Sequence, residues 1–203
     1  MAALRSVVLV VVLGLPATAA AEVYSWVDDD GVIHFTNVAP NGTRPVVNTE
    51  NTFSWRDDLG AMRRIHKVDV SRYDGLIREA ARYYSLPPAF VKAVVAAESA
   101  FEPTAVSNAG ALGLMQLMPK TATAMRVRDV FDARANVYGG VRYLRLMANH
   151  FAGDVRMTAA AYNAGPDAVE TANGVPPFAE TRTYVKRVLK LYNHYLRHWD
   201  HER

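Results

Sequence analysis

Glu98 stands where a carboxylate is least expected. It closes an almost wholly apolar stretch, Ala89 to Ala97, in which Phe90, Val91, Val94 and Val95 leave only Lys92 polar. Helical spacing places Val94 one turn before it on the same face. A carboxyl there either points to solvent at the helix end or lies against apolar walls, where desolvation raises its pKa. A free glutamate, with a pKa of about 4.3, is only about 0.2% protonated at pH 7. Raised to about 6, it offers roughly a tenth of its population as an acid. The chemistry such a group can do is proton transfer to and from a substrate oxygen. A solvent-facing glutamate, slightly unfavourable against the helix dipole, is the plain alternative. Periodicity alone leaves both open.

Further residues follow in short motifs along the chain. After Glu98-Ser99 come Phe101, Pro103 and Ser107, then Gly110-Ala111-Leu112-Gly113-Leu114-Met115-Gln116-Leu117-Met118-Pro119. Beyond lie Ala161-Tyr162-Asn163-Ala164-Gly165 and Glu180-Thr181-Arg182-Thr183-Tyr184-Val185. Gly110 and Gly113 flank a turn at which a bulky side chain would block the backbone's approach to a sugar. Gln116 offers a donor and an acceptor suited to hydroxyl and acetamido groups. Met118 and Tyr162 present apolar faces to a pyranose ring, and Asn163 can bond a substrate or the catalytic carboxyl. Glu180 and Tyr184 can reach polar groups from the last helix. Each has an ordinary reading beside it. Met115 and Met118 suit a core as well, Tyr162 suits helix packing, and Asn163-Ala164-Gly165 suits a helix C-cap.

In order and spacing these four motifs closely resemble the soluble lytic transglycosylases that cleave bacterial peptidoglycan, over residues 72–197. The resemblance implies a lysozyme-like helical catalytic domain with Glu98 as its acid. It places Ser107, Gln116, Met118, Tyr162 and Glu180 along a glycan groove, with Ser99, Met115, Asn163 and Tyr184 as further substrate-binding candidates. No cofactor and no metal are expected.

Most glycosidases use two carboxylates. Here only Glu98 stands in a strong acidic motif. Glu102 is the nearest second carboxylate, but Pro103 suggests that the helix has ended, and Asp154 and Asp167 have no motif support. One carboxyl can serve twice if the substrate supplies the nucleophile. The resemblance implies this reaction: cleavage of the β-1,4 bond between N-acetylmuramic acid and N-acetylglucosamine, leaving a 1,6-anhydromuramic acid end. Two other functions stay in view. One is a goose-type lysozyme, a hydrolase with the same acid. The other is an inactive glycan-binding or assembly module, against which the intact Glu98-Ser99 argues.

The elements that must position these groups are mainly helices. Expected spans are Tyr73–Tyr84, Ala89–Ala97, Asp132–Phe151, Thr158–Ala164 and Tyr184–Trp199, each on apolar residues at helical spacing. Before them, residues 22–48 read as a small β-hairpin domain. Val23–Val27 and Val32–Thr36 are rich in β-formers, and Asp28-Asp29-Asp30-Gly31 turns between them. Calcium binding at these aspartates lacks the alternating acidic pattern of an EF-hand. The series Tyr24, Trp26, Asp28, Gly31 with Phe35-Thr36-Asn37 resembles a short domain at the N-termini of bacterial envelope proteins. Residues 49–70 read as a linker and 71–199 as the catalytic domain.

Residues 1–21 carry Arg5, an apolar run from Val7 to Leu15 and Ala19-Ala20-Ala21, the pattern of a signal peptide. The run is shorter than the roughly 20 apolar residues of a membrane span. A periplasmic or otherwise exported protein is therefore expected, with no stable membrane span. The 203 residues contain no cysteine, which removes disulfides, thiolate metal sites and a cysteine nucleophile. Their 23 basic and 20 acidic side chains give a net charge of +3. That permits an anionic partner but not nucleic acid. His194 and His198 share a helical face with His201 beyond, which reads as a polar tail rather than a metal site. The expected partners are peptidoglycan glycan strands and an envelope-spanning assembly, with the chain itself a monomer.

Overall fold

The computed structural model describes residues 69–199, together with the backbone of two short strands. Strand β1 (Tyr24–Val27) pairs antiparallel with β2 (Ile33–Thr36), Tyr24 opposite Thr36 and Val27 opposite Ile33. The expected signal peptide, the Asp28–Gly31 turn, His201 and all but the last two residues of the 49–70 linker lie outside the described residues.

Seven helices make up the rest of the described chain. They are α1 (Asp74–Tyr83), α2 (Pro88–Ser99), α3 (Pro119–Ala124), α4 (Ala133–His150), α5 (Val155–Ala164), α6 (Pro166–Ala172) and α7 (Ala179–His198). The mainly α expectation holds. α3 and α6 are additional to the expected helices, and α7 begins five residues early.

Helix α2 lies at the centre. Proline enters its first turn, where no backbone N–H is needed. Every residue from Ala89 to Ala97 is buried, as expected of a helix apolar all round. It packs chiefly on α7, where Phe90 meets Tyr192 with ring centroids 5.4 Å apart. The lone polar side chain of that buried stretch, Lys92, is only 3% exposed. Its ammonium bonds Asp74 of α1 at 2.6 Å and lies over the rings of Tyr195 and Trp199. The Trp199 indole donates to the other Asp74 oxygen. This buried pair ties the start of α1 to the end of α7 across the central helix.

The chain around α2 is turned by left-handed residues. α1 ends in a Schellman motif: Leu86 N–H donates to Ala81 O and Ser85 N–H to Arg82 O, with Ser85 at φ 53°. α2 ends more abruptly. Ala100 and Phe101, at φ 50° and 66°, are both left-handed, a conformation that costs a residue bearing Cβ roughly 1–2 kcal/mol. Phe101 is carried straight back into the core, where it is 1% exposed. That burial offsets the strain and fixes the direction in which the last turn, with Glu98, points.

Candidate active site

Glu98 sits in the last turn of α2 and is half-buried. Tyr184, from the facing turn of α7, donates its hydroxyl to Glu98 Oε1 at 2.6 Å. Burial pushes the Glu98 carboxyl up to about 7. The Tyr184 hydrogen bond and the Arg187 charge pull against this, while the Glu180 charge adds to it. A carboxyl poised there is about half protonated at neutral pH, so both its acid and base forms are populated. The Tyr162 and Tyr184 hydroxyls are held well above the usual tyrosine range, first by burial and then by the Glu98 charge. Both therefore stay protonated donors.

The second wall is the loop between α2 and α3. Leu112 bridges Val106 on one side and Leu117 on the other. Ser107 closes the turn, its Oγ accepting from Ala111 N at 3.0 Å. Tyr162 of α5 donates its hydroxyl to Met115 O at 2.9 Å, so the residue beside Glu98 also fastens this loop. From α4, Asn136 clamps the same segment. Its amide nitrogen donates to Leu112 O at 3.0 Å and Val130 O at 2.8 Å, and its oxygen accepts from Met115 N at 2.8 Å. Three of the four hydrogen-bonding roles of this buried amide are filled, so the loop's shape is set by α4.

The profile of the family described as Transglycosylase SLT domain matches residues 75–185, more than half of the chain. The chain belongs to this family. A second profile, for a domain of unknown function (DUF4124), matches residues 10–52. The transglycosylase of Enterobacteria phage PRD1 is 37% identical over 117 residues, 58% of this chain and 42% of that protein. The soluble lytic murein transglycosylase of Escherichia coli K12 is 33% identical over 150 residues, 63% of this chain and 23% of that protein. The lytic transglycosylase Slt of Pseudomonas aeruginosa, solved as an inactive glutamate-to-glutamine mutant, superposes with a TM-score of 0.56 at 29% identity. It covers 63% of this chain and 25% of that one. The chain thus spans less than half the length of these relatives.

Within this SLT domain the expected site residues divide into two groups. Glu98 is the centre of the first: the Tyr184 hydroxyl and the Glu180 charge act on it, and its own charge acts on Tyr162 and Tyr184. Glu180, exposed in the first turn of α7, lies four residues before Tyr184 and so on the same face. Met118 is 44% exposed at the mouth of α3, available to a ligand. The others serve the scaffold with the groups described. Ser99 Oγ donates back to Val95 O within α2. Asn163 Oδ1 accepts from Thr181 Oγ1 at 2.8 Å, joining α5 to α7, while Gly165 caps α5. Gln116, left-handed at φ 47°, donates its amide nitrogen to Ala105 O and Gly113 O of its own loop. Its oxygen, rather than the whole amide, is what a substrate can use.

Two readings are corrected. Met115 is not a substrate contact: its side chain is wholly buried, packed so closely on α4 that a Cβ at Gly140 would come within 2.6 Å of Met115 Cβ. Gly113 does not make room for a sugar. At φ +78° it makes room for Asn136, whose Cγ would lie 2.9 Å from an added Cβ.

Asn136 and Arg187 escaped the sequence reading. The signal for Asn136 was a lone amide among Val137, Val141 and Leu144 on the apolar face of α4. Arg187 stood in a basic face of α7 that reads as solvated, although it lies one turn past Tyr184.

Proposed function

We propose that this chain cleaves peptidoglycan as a lytic transglycosylase, with Glu98 as both acid and base. The observation that carries the reading is the desolvated Glu98 carboxyl, at about 7, held by the Tyr184 hydroxyl at 2.6 Å. The named activity of the murein transglycosylase relatives supports the substrate class. The inactive glutamate mutant of the Pseudomonas neighbour supports a reaction that rests on one glutamate.

Protonated Glu98 delivers its proton to the glycosidic oxygen, and the bond from that oxygen to the muramic acid anomeric carbon breaks. The ring's acetamido oxygen closes on the anomeric carbon. Glu98, now a carboxylate, takes the proton of the six-position hydroxyl, whose oxygen displaces the acetamido group. The ends are a free four-hydroxyl on glucosamine and a 1,6-anhydro ring, no water is consumed, and Glu98 regains its proton. Two other carboxylates have structural work that fits this one-carboxyl scheme. Glu102 accepts from Thr104 N and Oγ1, and Asp154 caps α5 through Arg156 N and Met157 N.

A hydrolase reading has one observation in its favour, the Glu180 charge acting on Glu98 from α7. A carboxylate there could activate water. Mass spectrometry of digested sacculi separates the two, because anhydro ends are one water lighter than reducing ends.

Export fits the same reading. Residues 1–21 act as a signal peptide, 22–48 form the small domain within the DUF4124 match, 49–70 link and 71–199 catalyse. Among the described residues no helix is long and apolar enough to cross a membrane. The enzyme then works in the periplasm or beyond, as a monomer on glycan strands, at the service of an envelope-spanning assembly.

A further inference from the structure

We propose that Arg187 is a positioning residue for Glu98: it holds the last turn of α2 from the α7 side and stabilises the Glu98 carboxylate once the proton has left. The inference rests on the reading of Glu98 as proton donor. Arg187 lies three residues after Tyr184, so both side chains leave one face of α7 toward the end of α2. Its Nη1 reaches the carbonyl of Ala97, the residue before Glu98, at 3.4 Å. The carbonyls of a helix's last turn lack partners within the helix and carry its negative dipole end. Arg187 thus bonds the helix end while its charge acts on the carboxyl one residue further on.

A second observation points the same way. Among the described residues, Arg187 Nε is buried without a hydrogen-bond partner. Buried N–H groups are nearly always paired, and an exception is met by a catalytic role, a water or an ion. A carboxylate that has just given up its proton gains acceptor capacity on both oxygens. Tyr184 already occupies Oε1. The guanidinium is the remaining donor group positioned to answer the new charge.

The groups that face Glu98 are Tyr184, Glu180 and Arg187 from α7 and Tyr162 from α5, with Tyr143 of α4 behind Tyr162. Among the described residues that act on the carboxyl, Arg187 alone is a cation. It opposes burial and the Glu180 charge, and so keeps a deep carboxyl able to return to the base form. A helix cap with no electrostatic role would leave the proton affinity of Glu98 untouched when replaced by a neutral donor.

The test uses the full chain and two variants, Arg187→Gln and Arg187→Lys. The Glu98 carboxyl is titrated by carbon-13 NMR of glutamate-labelled protein, and the pH profile of kcat/KM is measured on isolated sacculi. Arg187→Gln keeps a donor for Ala97 O but removes the charge. It should raise the Glu98 midpoint, and the alkaline limb of the profile, by about one pH unit. Arg187→Lys should move both by less than half as much, and if Arg187→Gln does not fold, Arg187→Met replaces it as the neutral variant under the same criteria. A Gln midpoint equal to that of the parent, or a Lys midpoint displaced as far as the Gln one, overturns the proposal. If sacculi yield no products while the Gln midpoint still moves, the electrostatic role stands and the functional reading fails. If products form with an unmoved limb and midpoint, the functional reading stands and the role of Arg187 fails.

Discussion

The Glu98 carboxyl keeps its proton in the folded chain at a pH where an unfolded glutamate has lost it. Its folded value is raised from 4.5 to about 7. Between those values the native state binds one more proton than the unfolded state, so stability falls as pH rises. The loss is complete above pH 7 and amounts to on the order of 3 kcal/mol. Glu98→Gln removes the titration and keeps an acceptor for Tyr184. It should therefore melt close to the parent at pH 4.5 and distinctly above it at pH 8, as read by thermal unfolding across pH. A parent-minus-variant difference that does not change with pH would mean the carboxyl is not desolvated. The position of Glu98 was legible in sequence because a charge closing an apolar run stands out against its neighbours. Arg187 was not, because its partner is a carbonyl on another helix, and a basic residue on an amphipathic helix has no local sign of that.

Elements decide how firmly these residues are held. The loop from Ser107 to Met118 has little regular structure, and its shape is imposed by α4 and α5 through Asn136 and Tyr162. Asn136→Ala would leave a buried N–H and two carbonyls without their partner. Each such group costs roughly 1–3 kcal/mol, so a loss of about 3 kcal/mol or more is expected. Hydrogen exchange at the amides of 112–117 should quicken well before global unfolding, and activity on sacculi should fall with it. Unchanged protection there would show that the loop holds itself. The sequence pattern reached the long helices because their apolar faces repeat over several turns. It missed α3 and α6, of six and seven residues, which are too short for a period to show. Each nevertheless begins with proline at the first turn, the same sign that marked α2. The early start of α7 was hidden because Ala179, Glu180, Arg182 and Thr183 are exposed and show no apolar repeat.

At the scale of the whole molecule, the described core is built entirely from residues between Tyr73 and Trp199. The ends of that stretch are locked together by the Lys92–Asp74 pair and the Trp199 indole. A chain beginning at Met62 should therefore keep its helical circular dichroism, its melting temperature within a few degrees and its cleavage of isolated sacculi. Loss of the helical signal would make the N-terminal segment part of the core. The mainly helical class was readable from periodicity, and the motif order carried the family. The clamp was not readable, since a single lysine in an apolar helix does not say which acid it will meet.

In the proposed reaction Glu98 alone transfers the proton and the substrate supplies the nucleophile. Mass spectrometry of sacculi digested by the full chain, run beside the Glu98→Gln variant, tests it most directly. The parent should release muropeptides ending in 1,6-anhydromuramic acid, with no reducing muramic end. The variant should fall by roughly 10²–10⁴-fold or more, the share of a reaction carried by general acid–base transfer. Reducing-end products from the parent, or anhydro products at an undiminished rate from Glu98→Gln, would contradict the account.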